Sequence, residues 1–153
     1  MKMQMRLDGC TRAFTNISSK IEPITIKTTS KYLEEKWLSL NDHPLVGEAR
    51  IKGMMGAIEL TPEKSRRSAF PLNEGQAGII TREICIKNGL IMRAVGDKMI
   101  ISPPLIIKKC EINELMDLVY KSLDESKSHL EKLGISFRSV SYTHLTLPTS
   151  DLV

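Results

Sequence analysis

Residues 42–60 read DHPLVGEARIKGMMGAIEL, and their pattern decides the architecture. From 46 to 51 apolar and polar side chains alternate, the period of a half-buried strand. Lys52-Gly53 then offers a tight turn, with glycine free to take a positive φ. Residues 54–60, MMGAIEL, return as the hairpin partner. A hairpin with one apolar face has to bury it, so the flanking segments should supply its cover.

Upstream, residues 28–41 read as a helix, with Leu33, Trp37 and Leu40 at helical spacing. Asn41-Asp42-His43-Pro44 ends it, because proline disfavours helical geometry in the residue before it. Downstream, residues 61–73 hold two prolines and several basic side chains and read as a loop. A second helix runs over 74–88, where Ala77, Ile80, Thr81, Ile84 and Cys85 form one apolar stripe. Asn88-Gly89 is its stop signal. Residues 90–93 and 98–101 read as two short strands around Ala94-Val95-Gly96-Asp97, and Ser102-Pro103-Pro104 ends the second. A third helix covers 111–131, with Ile112, Leu115, Met116, Val119 and Leu123 as its buried stripe. Glu111 and Glu114 lie in its first turn, where the helix dipole favours negative charge, but Lys108-Lys109-Cys110 is poor capping material. The sum is an α+β fold: a small, mainly antiparallel sheet with helices packed on one face.

The chain has 153 residues, enough for one domain with a modest core. Hydrophobic content of 41% and charged content of 26% are ordinary for a globular protein. The net charge of +4 is spread out, with Lys64-Ser65-Arg66-Arg67 and Lys108-Lys109 as its densest points. At 5% aromatic content there is no set of stacking platforms for bases, so no nucleic-acid partner is expected. No apolar run is long enough to span a bilayer, and no membrane partner is expected. Cys10, Cys85 and Cys110 have no paired spacing, which suits reduced thiols in the cytoplasm. No His, Cys or Asp cluster has metal-ligand spacing.

Three stretches in register are similar to class III (omega-type) aminotransferases. The first is the opening hairpin, from Asp42-His43-Pro44 to Ile58-Glu59-Leu60. The second is Asn88-Gly89-Leu90-Ile91-Met92-Arg93-Ala94-Val95-Gly96-Asp97. The third is Met99-Ile100-Ile101-Ser102-Pro103-Pro104-Leu105-Ile106-Ile107, followed by Glu111-Ile112-Asn113-Glu114-Leu115. The resemblance covers residues 31–126 and implies the C-terminal small domain of a fold type I enzyme that uses pyridoxal 5'-phosphate (PLP). It implies exchange of an amino group between an amine or amino acid and a keto acid such as pyruvate, in a cytoplasmic homodimer. The lysine that forms the Schiff base belongs to a larger domain that matches nothing in these 153 residues. The expectation is therefore a truncated fragment, inactive alone, with no catalytic and no cofactor-binding residue of its own.

Within the resemblance, Arg93 corresponds to the arginine that grips a substrate carboxylate, and a guanidinium can do so through two parallel bonds. Gly96 would free the surrounding loop so that Arg93 swings aside for an uncharged amine, with Asp97 as a turn former that steadies it. Ile100 stands where ornithine-type relatives carry another arginine, which directs the resemblance to the pyruvate-using group. A decarboxylase or aminomutase of the same fold, or a non-catalytic α+β binding module, remains open.

The other polar candidates have plainer readings. His43 is a turn residue before proline, Cys85 a small hydrophobe on a helix stripe, and Met54 and Met55 core filler. Glu59 could pair with Arg50 across the hairpin. Residues 28–133 form the expected domain; 1–27 match poorly, and 134–153 form a tail. In that tail SVSYTHLTLPTS, starting at Ser139, reads as translated adapter sequence rather than native protein.

Overall fold

The computed structural model describes residues 23–137, and the expected adapter tail lies outside them. Helix α1 spans Pro23–Leu38, and a 3-10 turn follows over Ser39–Asp42. Strands β1 (Val46–Lys52) and β2 (Met55–Leu60) lead through a long loop to helix α2 (Gln76–Lys87). Strands β3 (Arg93–Val95) and β4 (Lys98–Ile101) precede helix α3 (Lys109–Lys132). All neighbouring strands are antiparallel, in the order β1-β2-β4-β3. The chain thus crosses from β2 over α2 to the sheet's far edge and returns to fill the gap.

The expected α+β architecture is present, with shifted boundaries. Pro23 opens α1 five residues before the expected start at 28, because a first-turn proline needs no N–H. At the other end the helix tightens to a 3-10 turn before Pro44. Ser39 Oγ and Asn41 Nδ2 donate to the carbonyls of Lys36 (2.6 Å) and Leu38 (3.0 Å), adding side-chain bonds at the helix end. Helix α3 begins at Lys109 because Glu111 supplies the missing cap. Its carboxylate reaches back to accept the Lys108 N–H at 2.7 Å.

Helices α2 and α3 stop by the same device. Gly89 and Gly134 take φ of 82° and 87°. The next residue then donates its N–H back over the turn, Leu90 to the Cys85 carbonyl (2.8 Å) and Ile135 to that of Leu130 (3.2 Å). Ile135 is buried and Phe137 packs against the core, so ordered packing extends past residue 133.

Pleating sorts the sheet into two faces. Ala49, Ile58, Met99 and Ala94 form one cross-strand row on the face toward the helices. Trp37 of α1 is fully buried against this face, and its indole N–H donates to the Ala57 carbonyl at 3.3 Å. Gly56 makes that seat possible: a Cβ there would stand 2.7 Å from the Trp37 ring. Helix α3 contributes Ile112, Met116, Val119 and Leu123 to the same core.

His43 is more than the turn residue the sequence suggested. It is buried, accepts the Leu45 N–H on Nδ1 (3.2 Å) and bonds Asp124 of α3 through Nε2 (3.1 Å). That pattern requires the tautomer with hydrogen on Nε2. Protonating Nδ1 would strand the Leu45 N–H. Burial lowers the imidazole pKa from its ordinary 6.5, and Asp124 offsets part of that effect.

Two outcomes follow for the purified chain. Gly56→Ala should destabilise it by about 1–3 kcal/mol through overpacking against Trp37, read from urea unfolding midpoints. An unchanged midpoint would mean that the indole can yield. The unfolded state binds the His43 proton first as pH falls, so stability should be full above about 6.5 and decline below it, levelling once the folded imidazole also titrates. His43→Gln should flatten that part of the profile between pH 7 and 5; an identical slope would place the titration elsewhere.

Candidate carboxylate-binding site

The face turned away from the helices carries the charges. Arg93 pairs with Ile100, Ile100 with Ala57, and Ala57 with Arg50, so these four make one outward row. The adjacent row is Glu48, Glu59, Lys98 and Val95. Glu48 stands directly opposite Glu59, a repulsive arrangement that neighbouring cations relieve. Arg50 grips the Glu48 carboxylate through Nε (2.5 Å) and Nη2 (2.6 Å), and Arg67 adds a third contact at 2.9 Å. Lys98 lies 3.7 Å from Glu59. Arg50 holds the Glu48 carboxyl below its ordinary range, chiefly through this hydrogen bonding. The expected Arg50–Glu59 pair is therefore replaced. Glu48, two residues away on the same strand face, captures the guanidinium, and Glu59 turns to Lys98.

Arg93 differs from these cations. It is exposed at the start of β3, the sheet's edge strand, and its guanidinium makes no hydrogen bond or ion pair with another described residue. Next to it on the same side, Ile91 is 85% exposed. The sequence placed Arg93 at the end of a strand running over 90–93, before a flexible loop. The structure instead starts the strand at Arg93 and shortens the loop to the two residues Gly96 and Asp97. Gly96 takes φ 58° in that turn, so its conformational freedom is spent on reversing the chain.

Asp97 does more than form the turn. Its carboxylate accepts the Gly78 N–H at 3.0 Å, and its backbone carbonyl accepts the Leu60 N–H at 2.9 Å. A Cβ on Gly78 would collide with the Gly96 carbonyl oxygen. The hint in sequence was the pair of glycines, Gly75 and Gly78, at the start of α2.

A Schiff base to PLP calls for a lysine held in a secluded cleft. Every described lysine is exposed or half-exposed. Lys64, whose pKa burial lowers, spends its ammonium on the Asn41 carbonyl at 2.5 Å. Cys85 is buried in the core, where burial pushes its thiol pKa up, and Cys110 is exposed. Among the described residues no His, Cys, Asp and Glu side chains gather as a metal site, and no helix is long and apolar enough to cross a membrane.

No family model matches the chain. The putrescine–pyruvate aminotransferase of Pseudomonas aeruginosa is 52% identical over 98 residues, covering 64% of this chain and 21% of that protein. The mitochondrial gamma-aminobutyrate transaminase 1 of Solanum lycopersicum is 31% identical over 108 residues, covering 71% and 21%. Among solved structures, the omega transaminase of Pseudomonas jessenii in complex with PMP superposes with a TM-score of 0.65 at 26% identity, over 70% of this chain and 23% of that one. The chain is similar to one segment of these aminotransferases. It spans about one fifth of the length of the curated relatives it matches. The aminotransferase fold thus accounts for the α+β layers and the strand order, and Arg93, Gly96 and Asp97 lie on its β3–β4 hairpin.

Proposed function

We propose that this chain is the C-terminal small domain of a class III, PLP-dependent aminotransferase that moves an amino group between an amine and a keto acid such as pyruvate. The 52% identity to the putrescine–pyruvate aminotransferase carries this reading. The domain comprises residues 28–133 together with the ordered ends reaching Pro23 and Phe137. PLP supplies the electron sink for the reaction, and the residues that hold it belong to a larger domain outside the matched segment. Homodimeric assembly follows from the family resemblance, and the odd, unpaired cysteine count supports a cytoplasmic location.

Arg93 is the substrate carboxylate ligand in this reading. Its guanidinium has no described partner, whereas Arg50 is held by Glu48. Ile100, its cross-strand neighbour, offers no second cation. A carboxylate docking on this face would therefore meet Arg93 alone in that row's β3–β4 half. The hairpin backbone is anchored at Asp97, so release of the carboxylate is left to the long arginine side chain.

Grafting residues 23–137 into the matching part of the Pseudomonas aeruginosa enzyme tests the assignment. The graft should transaminate pyruvate, and Arg93→Ala in it should slow carboxylate-bearing substrates about tenfold to a few hundredfold in kcat/KM. An uncharged amine should lose little in its own half-reaction, measured in single turnover. Equal losses for both classes would make Arg93 structural. The 153-residue chain alone, mixed with PLP, an amine and pyruvate, should form no alanine above the protein-free background. Alanine above it would mean that a working cofactor site exists within these residues.

A further inference from the structure

We infer that Asp97 is a positioning residue: it caps helix α2 across space, and that bond fixes where Arg93 stands on the sheet. The inference rests on the reading of Arg93 as the carboxylate ligand.

Helix α2 cannot cap itself. Its N-cap is Gly75, at φ 77°, with no side chain to accept the first amides. The Gln76 N–H finds the Asn73 carbonyl at 3.0 Å. The Gly78 N–H is met by Asp97, from a hairpin 19 residues further along the chain. A carboxylate there also answers the positive end of the helix dipole. The approach is backbone to backbone: a Cβ on Gly75 would sit 3.2 Å from the Gly96 Cα, and one on Gly78 would strike the Gly96 carbonyl. Close contact here is possible only because the facing positions are glycines.

The consequence is a closed circuit. The chain runs from Gly78 along α2, turns at Gly89, passes Arg93 on β3, and returns through Gly96 to Asp97. A single hydrogen bond closes that circuit back onto Gly78. On the other side, the Asp97 carbonyl holds the end of β2 through Leu60. Strand β3 has three residues and, among the described residues, only β4 as a sheet neighbour; burial of Ala94 holds its register, and the Asp97 bond holds the turn against α2. Cutting the circuit lets β3 shift against α2 and carries Arg93 with it.

The test has two arms. In the 153-residue chain, Asp97→Ala should speed amide exchange of the β3–β4 hairpin about fivefold to tenfold while β1 and β2 stay as they were. A uniform acceleration, or none, overturns the positional claim. In the graft described above, Asp97→Ala should raise the KM for the keto acid about tenfold, leaving kcat and the uncharged-amine half-reaction within about twofold. Asp97→Asn, whose amide oxygen can still accept the Gly78 N–H, should recover most of the loss. Gly78→Ala should reproduce it by pushing the turn off the helix, and it carries the test if Asp97→Ala does not fold. Arg93→Ala separates the two ideas. If it is selective for carboxylates and the Asp97 and Gly78 variants are not, the positioning role falls and the Arg93 reading stands. If Arg93→Ala is itself unselective, both fall.

Discussion

Burial of one row of side chains governs the rest of this fold. Ala49, Ile58, Met99 and Ala94 must lie under the helices, and strands have a side-chain period of two. A slip of one residue in any pairing would bring charged side chains such as Arg50, Glu59 or Lys98 into the core. Register is therefore fixed by the apolar row, and the outward row of Arg50, Ala57, Ile100 and Arg93 is its obligatory complement. The address of Arg93 follows from the burial of its neighbours and not from any bond of its own guanidinium.

The outward face then divides its cations by partner. Glu48 absorbs both Arg50 and Arg67, and Glu59 takes Lys98. These exposed pairs contribute little to stability. Their effect is to neutralise one side of the sheet locally. Arg93, at the opposite edge, keeps its charge available, and the rigid turn at Asp97 keeps its backbone in place.

Much of this was legible in the sequence, because short-range chemistry wrote it. The alternation over 46–60 and the apolar stripes of α2 and α3 reported the sheet and its cover. Asn88-Gly89 marked a helix end that the structure closes as expected. What escaped were contacts between segments far apart in the chain. His43 looked like a simple turn residue because its partner, Asp124, lies 81 positions away. The Gly78–Asp97 bond hid for the same reason. The Glu111 cap is local, three residues from Lys108, and hid because the capping group sits on the third helical residue and not at the N-cap. Arg50 was assigned to the strand opposite, whereas proximity along its own strand decided its partner.

Trp37 has a use beyond packing. It is the chain's sole tryptophan, and it is sealed between α1 and the sheet with its ring against Gly56. Indole emission shifts to longer wavelength when water reaches the ring, so the molecule carries its own optical gauge at that seam. A blue emission would mean that the first helix is seated, and a red one that it has lifted away, with no dye attached and no other indole to confuse the signal.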